Sequence, residues 1–411
     1  MKTVYFKTFG CRTNFYDTQA MIASLGEWRA AHSEGEADAI VVNSCSVTNN
    51  ADATVRAFVG RMRREKPKTK ILFTGCGASR LGKKLLDNRV IDGVFGHSEK
   101  TNVDRFLSAD LPFERLGDLE RIDDIIINNF AGKIRAFIKI QEGCDFSCGY
   151  CVIPQVRGRS RSLSKTTILE QIKILADNGF EEFVLTGTNA GGYGRERGEN
   201  IADLIAQIGK ILGVRRVRLG SIEPIQIDDE LLDICSAPFM AKHLHIALQH
   251  TSDQVLTAMN RRNRVESDRV LLDKIAKLGF AIGSDYIVGF PNESDEIFSE
   301  ALDNLRLLPL THIHIFPFSP REGAEAAKIK HNINGAVINE RRKALQELIM
   351  QKRRDFYAKN RSPLSILIEK NNSGLDQFFT RATVKSDRKL SGWIETKRYT
   401  IGETGAIICE I

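Results

Sequence analysis

A chain of 411 residues is too long for one core of ordinary size, so two or three domains are expected. With 42% hydrophobic and 27% charged residues it is no disordered protein, and no apolar run is long enough to span a bilayer. The formal charge of +7 gains meaning only from its distribution. Residues 56–70 (RAFVGRMRREKPKTK) and 340–361 are strongly basic, and residues 152–169 hold no acidic side chain. One such run is ordinarily a solvated face; three separated ones point to a polyanion. MKTVYFKTFGC goes straight into a strand pattern without a signal core, so a cytosolic, reducing setting is expected. There, eight cysteines speak for metal or catalysis rather than disulfides. Cys235 and Cys409 stand alone in apolar surroundings and read as buried small hydrophobes.

Residues 1–112 read as a parallel α/β domain. TVYFKTFGC, AIVVNSC and KILFTGC are β-rich runs that each end in a cysteine, VIDGVFG resembles a fourth strand, and helical stretches fill 18–25 and 50–64. If the strands are parallel, Cys11, Cys45 and Cys76 converge on one edge of the sheet, where open α/β sheets bind ligands. Residues 113–130 lack periodicity and read as a linker.

Residues 130–357 predict a partial (β/α)6 barrel. Its strands are RAFIKIQ, EFVLTG, RRVRLGS, HLHIALQ, IGSDYIVGF and HIHIFPF; helices such as TTILEQIKILADNG and SDRVLLDKIAKLG stop at glycine. A basic helix follows at about 336–360, and residues 358–411 predict a small antiparallel β-barrel.

Cys144, Cys148 and Cys151 fall in one loop after the first barrel strand, where barrels carry their chemistry. A zinc site would want two separated pairs or a completing histidine, and no histidine lies between these cysteines. Thiolates this dense suit an iron–sulfur cube better. His243, His245, His312 and His314 alternate on strands and read as packed barrel histidines rather than ligands.

The C-x3-C-x2-C loop resembles that of the radical S-adenosylmethionine enzymes. The resemblance implies a [4Fe-4S] cluster whose open iron binds S-adenosylmethionine, and a 5′-deoxyadenosyl radical as its product. VLTG, GSIEP, ALQH and SDYIVGFP match the family's cofactor-binding places, which would put Ser221, Glu223, Gln249 and Asp285 near cofactor or substrate. Glu223 is equally readable as a satisfied polar group at a strand end.

The N-terminal cysteines narrow the likeness. Three strand-end cysteines, the barrel and a small β tail resemble the methylthiotransferases over essentially the whole chain. The resemblance implies that Cys11, Cys45 and Cys76 hold a second [4Fe-4S] cluster, whose open iron takes sulfur. It also implies two S-adenosylmethionine molecules per turnover, one as methyl donor and one as radical source, and an electron-donor protein. TFGCRTNFYDTQ, CVIPQVRGRSRS and GSIEP look most like the branch acting on N6-threonylcarbamoyladenosine (t6A) at position 37 of the tRNA anticodon loop. The threonylcarbamoyl group carries a carboxylate that an arginine fork matches, so Arg157, Arg159 or Arg161 could read it or a neighbouring phosphate. The alternative is a general clamp on the RNA backbone.

LQHTSDQVL, with His250 and Thr251, and TGTNAGGYG depart from the family pattern, and the tail is short for its RNA-binding domain. Three other functions remain open: methylthiolation of isopentenyladenosine in tRNA, methylthiolation of a ribosomal-protein aspartate, and a non-catalytic iron–sulfur or zinc module.

Overall fold

The structure, a computed structural model, describes residues 1–130, 132–330, 333–402 and 405–410 and forms two compact units. The first comprises Met1–Phe130, Ala136–Gly213 and Ser319–Ala327. It opens with β1 (Lys2–Thr8), α1 (Arg12–Ala23), β2 (Trp28–Ala30), β3 (Ala39–Ser44), α2 (Asn49–Glu65) and β4 (Lys70–Gly75). Then come α3 (Lys83–Asp87), β5 (Gly93–Phe95), α4 (Val103–Ser108) and β6 (Phe113–Arg115). The six strands form one parallel sheet in the order β2-β1-β3-β4-β5-β6.

Because alternate residues of a strand face opposite ways, the continuous apolar runs of β3 and β4 bury both faces. Ile40, Val42, Ile71 and Phe73 pack on Val55, Val59 and Met62 of α2. Val41 and Leu72 look the other way, onto Met21, Val103 and Phe106. Two strands go beyond the expected four: β2 and β6 are three residues each, too short to show a period.

Helix α1 starts at Arg12, earlier than the predicted 18, because Asn14, Asp17 and Thr18 are buried polar residues that break apolar periodicity. The predicted linker is docked rather than loose. Gln171 receives the Ile127 N–H at 2.8 Å and returns a bond to its carbonyl at 2.5 Å, while the fully buried Phe130 meets the rings of Phe15, Phe137 and Phe180.

The rest of this unit is β7 (Ala136–Glu142), α5 (Ile153–Arg157), β8 (Arg161–Ser162), α6 (Lys165–Asp177), β9 (Glu182–Gly187) and α7 (Ile201–Ile208). Strand β7 runs parallel to β9 and antiparallel to β8. Helix α6 begins where the Ser164 hydroxyl accepts the Thr167 N–H at 3.0 Å.

The second unit comprises Ala131–Arg135, Val214–Phe318 and Lys328–Ile411. It holds β10 (Arg216–Leu219), β11 (Ser221–Ile222), α8 (Asp229–Cys235), β12 (His243–Ile246), α9 (Asp253–Ala258) and α10 (Val265–Lys277). Next come β13 (Ala281–Val288), α11 (Asp295–Leu307), β14 (Leu310–Pro317) and the basic helix α12 (Gly335–Lys359). Strands β11-β12-β13-β14 are parallel neighbours. All six strands predicted for residues 130–357 are present, as β7, β9, β10, β12, β13 and β14.

The tail contains β15 (Leu364–Lys370), β16 (Ser373–Leu375), β17 (Arg381–Lys385), β18 (Gly392–Thr396), β19 (Tyr399–Ile401) and β20 (Ile407–Glu410). Its order is β18-β15-β16-β17-β20-β19, a curled half-barrel in which β17 and β20 form a parallel pair among antiparallel ones. Cys235 and Cys409 are fully buried, and burial pushes their thiols up to about 12 and about 11. No helix among the described residues is long and apolar enough to cross a membrane.

Candidate functional site

The cysteine loop begins where β7 ends. Gly143 turns the chain at φ +77°, and a Cβ there would lie 1.9 Å from the Arg159 carbonyl oxygen, so only glycine lets the two ends of the loop close. The Cys144 N–H then reaches the Gly158 carbonyl at 3.1 Å, and the Cys151 N–H the Cys148 carbonyl at 3.0 Å. Beneath the loop the buried Gln141 amide donates to the Glu142 and Gly143 carbonyls and to Ser160 Oγ, and its oxygen accepts the Asn189 N–H. Cys144, Cys148 and Cys151 are all partly exposed, and the Ile153 N–H points at Cys151 Sγ at 3.5 Å. Three soft thiolates on one rigid, open-faced loop fit an iron–sulfur cluster with an iron left for a further ligand.

Cys11, Cys45 and Cys76 all lie just beyond strand ends in the parallel sheet. Ser44 of β3 pairs with Gly75 of β4, so Cys45 and Cys76 are adjacent. Gly10, at φ +99°, brings Cys11 in: a Cβ at Gly10 would stand 2.6 Å from Cys45 Cβ. Cys11 is the N-cap residue of α1 and is exposed, whereas Cys45 and Cys76 are buried. Burial, together with the neighbouring Cys76 and Cys11, pushes the Cys45 thiol up to about 12. Burial raises Cys76 as well, against the pull of Arg157. A metal taken up here displaces these protons.

Behind both trios lies a charged network that composition gave no sign of. Arg157, only 1% exposed, donates from Nε to Cys76 Sγ at 3.3 Å, from Nη1 to Glu142 at 2.5 Å, and from Nη2 to Asn14 at 2.5 Å and Asp17 at 3.1 Å. Lys139 donates to Asp17 at 2.9 Å, and Lys100 also binds Asp17. Burial alone would raise the Asp17 carboxyl; Lys100, Lys139 and Arg157 hold it well below the usual range. His97 is pushed well below its ordinary value by burial and by Lys100 and Arg157, and stays neutral.

The three arginines singled out in the sequence thus have different surroundings. Arg157 faces inward. Arg161, its side chain 11% exposed, donates to the Arg121, Arg157 and Arg159 carbonyls, at 2.8, 2.7 and 3.1 Å. Arg159 reaches solvent, 92% exposed and 3.8 Å from Asp145.

Residues 319–327 form a strap over both cysteine loops, which the sequence reading missed. Arg321 donates to Asn49 at 2.6 Å, Ser46 at 3.0 Å and Asp52 at 2.7 Å, just after Cys45. Further along, the Ala326 N–H bonds the Gly149 carbonyl at 2.7 Å, inside the other loop, and Gln155 donates to the Gly323 carbonyl at 2.6 Å. The run SPREG offers only a turn signal; nothing local in it names these long-range partners.

In the second unit, Ser221 is exposed at the start of β11, and both Glu223 oxygens bind Arg261, at 2.9 and 2.6 Å. Gln249 takes φ +70° and bridges to β13: its N–H bonds the Asp285 carbonyl at 3.0 Å. The Asp285 carboxylate stands 3.1 Å from His245 Nε2 and 3.2 Å from His314 Nδ1. Burial opposes its ionisation, yet the two histidine contacts hold the carboxyl well below the usual range. His243 and His312 pack edge to face at 5.3 Å, in line with the sequence reading. His245 and His314 do more, because their donors and Asp285 lie within 4.8 Å of one another, close enough to grip a cation.

Comparison with known proteins gives these features a context. The structure is similar to that of the radical S-adenosylmethionine methyltransferase TsrM from Kitasatospora setae, solved with cobalamin and a [4Fe-4S] cluster. The TM-score is 0.59 at 14% identity, covering 77% of this chain and 75% of that one. This likeness shows a radical S-adenosylmethionine fold, and residues 138–305 match the radical SAM superfamily. Residues 3–96 match an uncharacterized protein family, UPF0004.

A Helicobacter pylori (strain J99) protein, named provisionally as a methylthiotransferase without a substrate, is 47% identical over 98% of both chains. The threonylcarbamoyladenosine tRNA methylthiotransferase MtaB of Aquifex aeolicus is 34% identical over 90% of this chain and 93% of its own. The chain belongs to the methylthiotransferase family of radical S-adenosylmethionine enzymes. The family implies a [4Fe-4S] cluster and S-adenosylmethionine.

Proposed function

We propose that this enzyme methylthiolates C2 of t6A at position 37 of tRNA, in the cytoplasm, with a second [4Fe-4S] cluster on Cys11, Cys45 and Cys76. Its relative in Aquifex aeolicus carries the threonylcarbamoyladenosine name. On this chain the reading is carried by Arg159, the one of the three loop arginines with its guanidinium in solvent. A planar guanidinium can take the threonyl carboxylate of t6A in two parallel hydrogen bonds, which an isopentenyl group cannot accept. The wider proposal keeps three domains, at 1–112, 130–357 and 358–411, with an electron-donor protein as partner.

Each part of the chain then has its work. Cys144, Cys148 and Cys151 hold the radical-generating cluster, while Gln141 and Gly143 fix the loop that carries them. The cluster and S-adenosylmethionine supply one-electron chemistry able to take hydrogen from an unactivated C–H bond. Ser221, Glu223, Gln249 and Asp285 bind cofactor or substrate; Arg261 holds Glu223 and the two histidines hold Asp285, so neither carboxylate has to reorganise. The strap keeps the two cysteine loops in register.

The test is nucleoside mass spectrometry of total tRNA from a strain lacking the gene. Methylthio-t6A should vanish and t6A accumulate, and Cys144→Ala should not restore it. Unchanged methylthio-t6A would sink the reading. Loss of methylthio-isopentenyladenosine instead would reassign the substrate.

A further inference from the structure

Arg157 belongs to the segment that follows the Cys144–Cys151 loop, yet its Nε points at Cys76, the residue just beyond β4 of the N-terminal sheet. Its other donors are taken by Glu142, Asn14 and Asp17, which aim the guanidinium and leave it no freedom to turn away. Glu142 itself sits at the end of β7, immediately before the loop. A single buried cation therefore touches the thiol of one trio and is held by the stem of the other.

We propose that Arg157 is a positioning residue that sets the reduction potential of the cluster held by Cys11, Cys45 and Cys76, and links it to the loop of the radical-generating cluster. The inference rests on the two-cluster reading above. Reduction of such a cluster brings in one electron from an external low-potential donor and makes the thiolate-ligated centre more negative by one charge. No bond breaks and no proton leaves Arg157, since a guanidinium stays charged throughout. A fixed cation donating a hydrogen bond to a ligand sulfur, away from water, favours the more negative state. Its two carboxylate partners temper that effect, so changing the cation and changing a carboxylate must move the potential in opposite directions. General damage to the fold has no reason to do so.

The measurement uses the full chain with Cys144, Cys148 and Cys151 changed to Ala, reconstituted anaerobically with iron and sulfide. Only the N-terminal trio can then be loaded, and its couple is read by electron paramagnetic resonance during titration with dithionite and mediator dyes. In this background Arg157→Gln should lower the reduced-to-oxidised ratio at a fixed potential at least tenfold, a shift of about 59 mV for one electron. Arg157→Lys, which keeps the charge but loses the fork, should shift it less, and Glu142→Gln should shift it upward.

If the parent binds no iron, the two-cluster reading has failed. If it binds about four irons per chain and both Arg157 variants match its potential, the inference alone has failed. Should Arg157→Gln hold no cluster, a Glu142→Gln potential that does not rise overturns the inference just as well.

Discussion

Changing Arg321 to Met should loosen the strap without touching a cysteine. The guanidinium is 3% exposed and makes three hydrogen bonds, to Asn49, Ser46 and Asp52, the last also an ion pair at 2.7 Å. Methionine fills similar volume, so the loss is one of polar partners rather than packing. Removing one member of a buried pair typically costs about 3–5 kcal/mol, because the other charge is left uncompensated. The Asp52 side chain is 10% exposed and keeps Ser46 Oγ as a donor at 2.7 Å, which puts the cost near the lower end, about 3 kcal/mol.

Hydrogen exchange of the metal-free protein, followed by mass spectrometry, reads this locally. Peptides covering 46–52 and 319–327 should exchange roughly a hundredfold faster, as about 3 kcal/mol implies. Adding Asp52→Leu should recover part of the loss, since no charge is then stranded. Unchanged exchange in both peptides, or a double variant as costly as the sum of the singles, would refute the argument.

Other perturbations test other parts. Gly143→Ala puts a Cβ 1.9 Å from the Arg159 carbonyl at φ +77°; a cost of about 2 kcal/mol is expected, with iron lost from the adjacent loop in a metal analysis. Replacing either cysteine trio with alanine should remove about half of the reconstituted iron if each holds one cluster. Tyr357→Phe removes the donor to the buried Asp376, now bonded at 2.6 Å, and should cost about 1–3 kcal/mol in denaturant unfolding.

Asp268 gives a pH dependence. Burial pushes its carboxyl from 3.8 to about 6, against the Asn263 hydrogen bond. The native state therefore binds this proton more tightly than the unfolded one. The resulting stability is fully present below pH 3.8 and is lost as pH rises through about 6. Between those limits the wild type should lose about 3 kcal/mol more than Asp268→Asn in denaturant midpoints read across pH.

Strands β1, β3 and β4 were legible in the sequence because each is a β-rich run with a cysteine at its end, whereas β2 and β6, three residues each, were not. The register Ser44 to Gly75 turns that pattern into adjacency in space. What stayed hidden depended on partners far along the chain. Asn14 and Asp17 look like surface polar residues, and distant partners make their burial tolerable: the Ser44 carbonyl and Arg157 for Asn14, and Lys100, Lys139 and Arg157 for Asp17. The strap was equally unreadable, since a turn sequence carries no mark of what it covers. The His245–Asp285–His314 group needed the register of β13 with β14, which pairs Asp285 with His314 directly.

The loop arginines show how far residue type can go. Arg157, Arg159 and Arg161 sit at alternate positions, with the same charge and the same reach. Their surroundings separate them: four charged or polar partners hold Arg157 inside, three backbone carbonyls and, at 3.5 Å, Glu142 hold Arg161, and Arg159 lies in solvent 3.8 Å from the exposed Asp145. Under the proposed function, losing each should then read differently. Arg159→Ala should raise KM for t6A-containing tRNA about tenfold, in line with the loss of a charge-assisted pair of about 1.5–3 kcal/mol discounted for exposure. It should leave iron content and unfolding unchanged, whereas Arg157→Ala should leave Asp17 to Lys100 and Lys139, and Glu142 to the longer contacts with Lys139 at 3.4 Å and Arg161 at 3.5 Å, and destabilise the chain by about 3 kcal/mol, the lower end for a broken buried pair. An Arg159 variant with unaltered KM would return the substrate question to the other methylthiotransferase branches. An Arg157 variant as stable as the wild type would contradict the buried network itself.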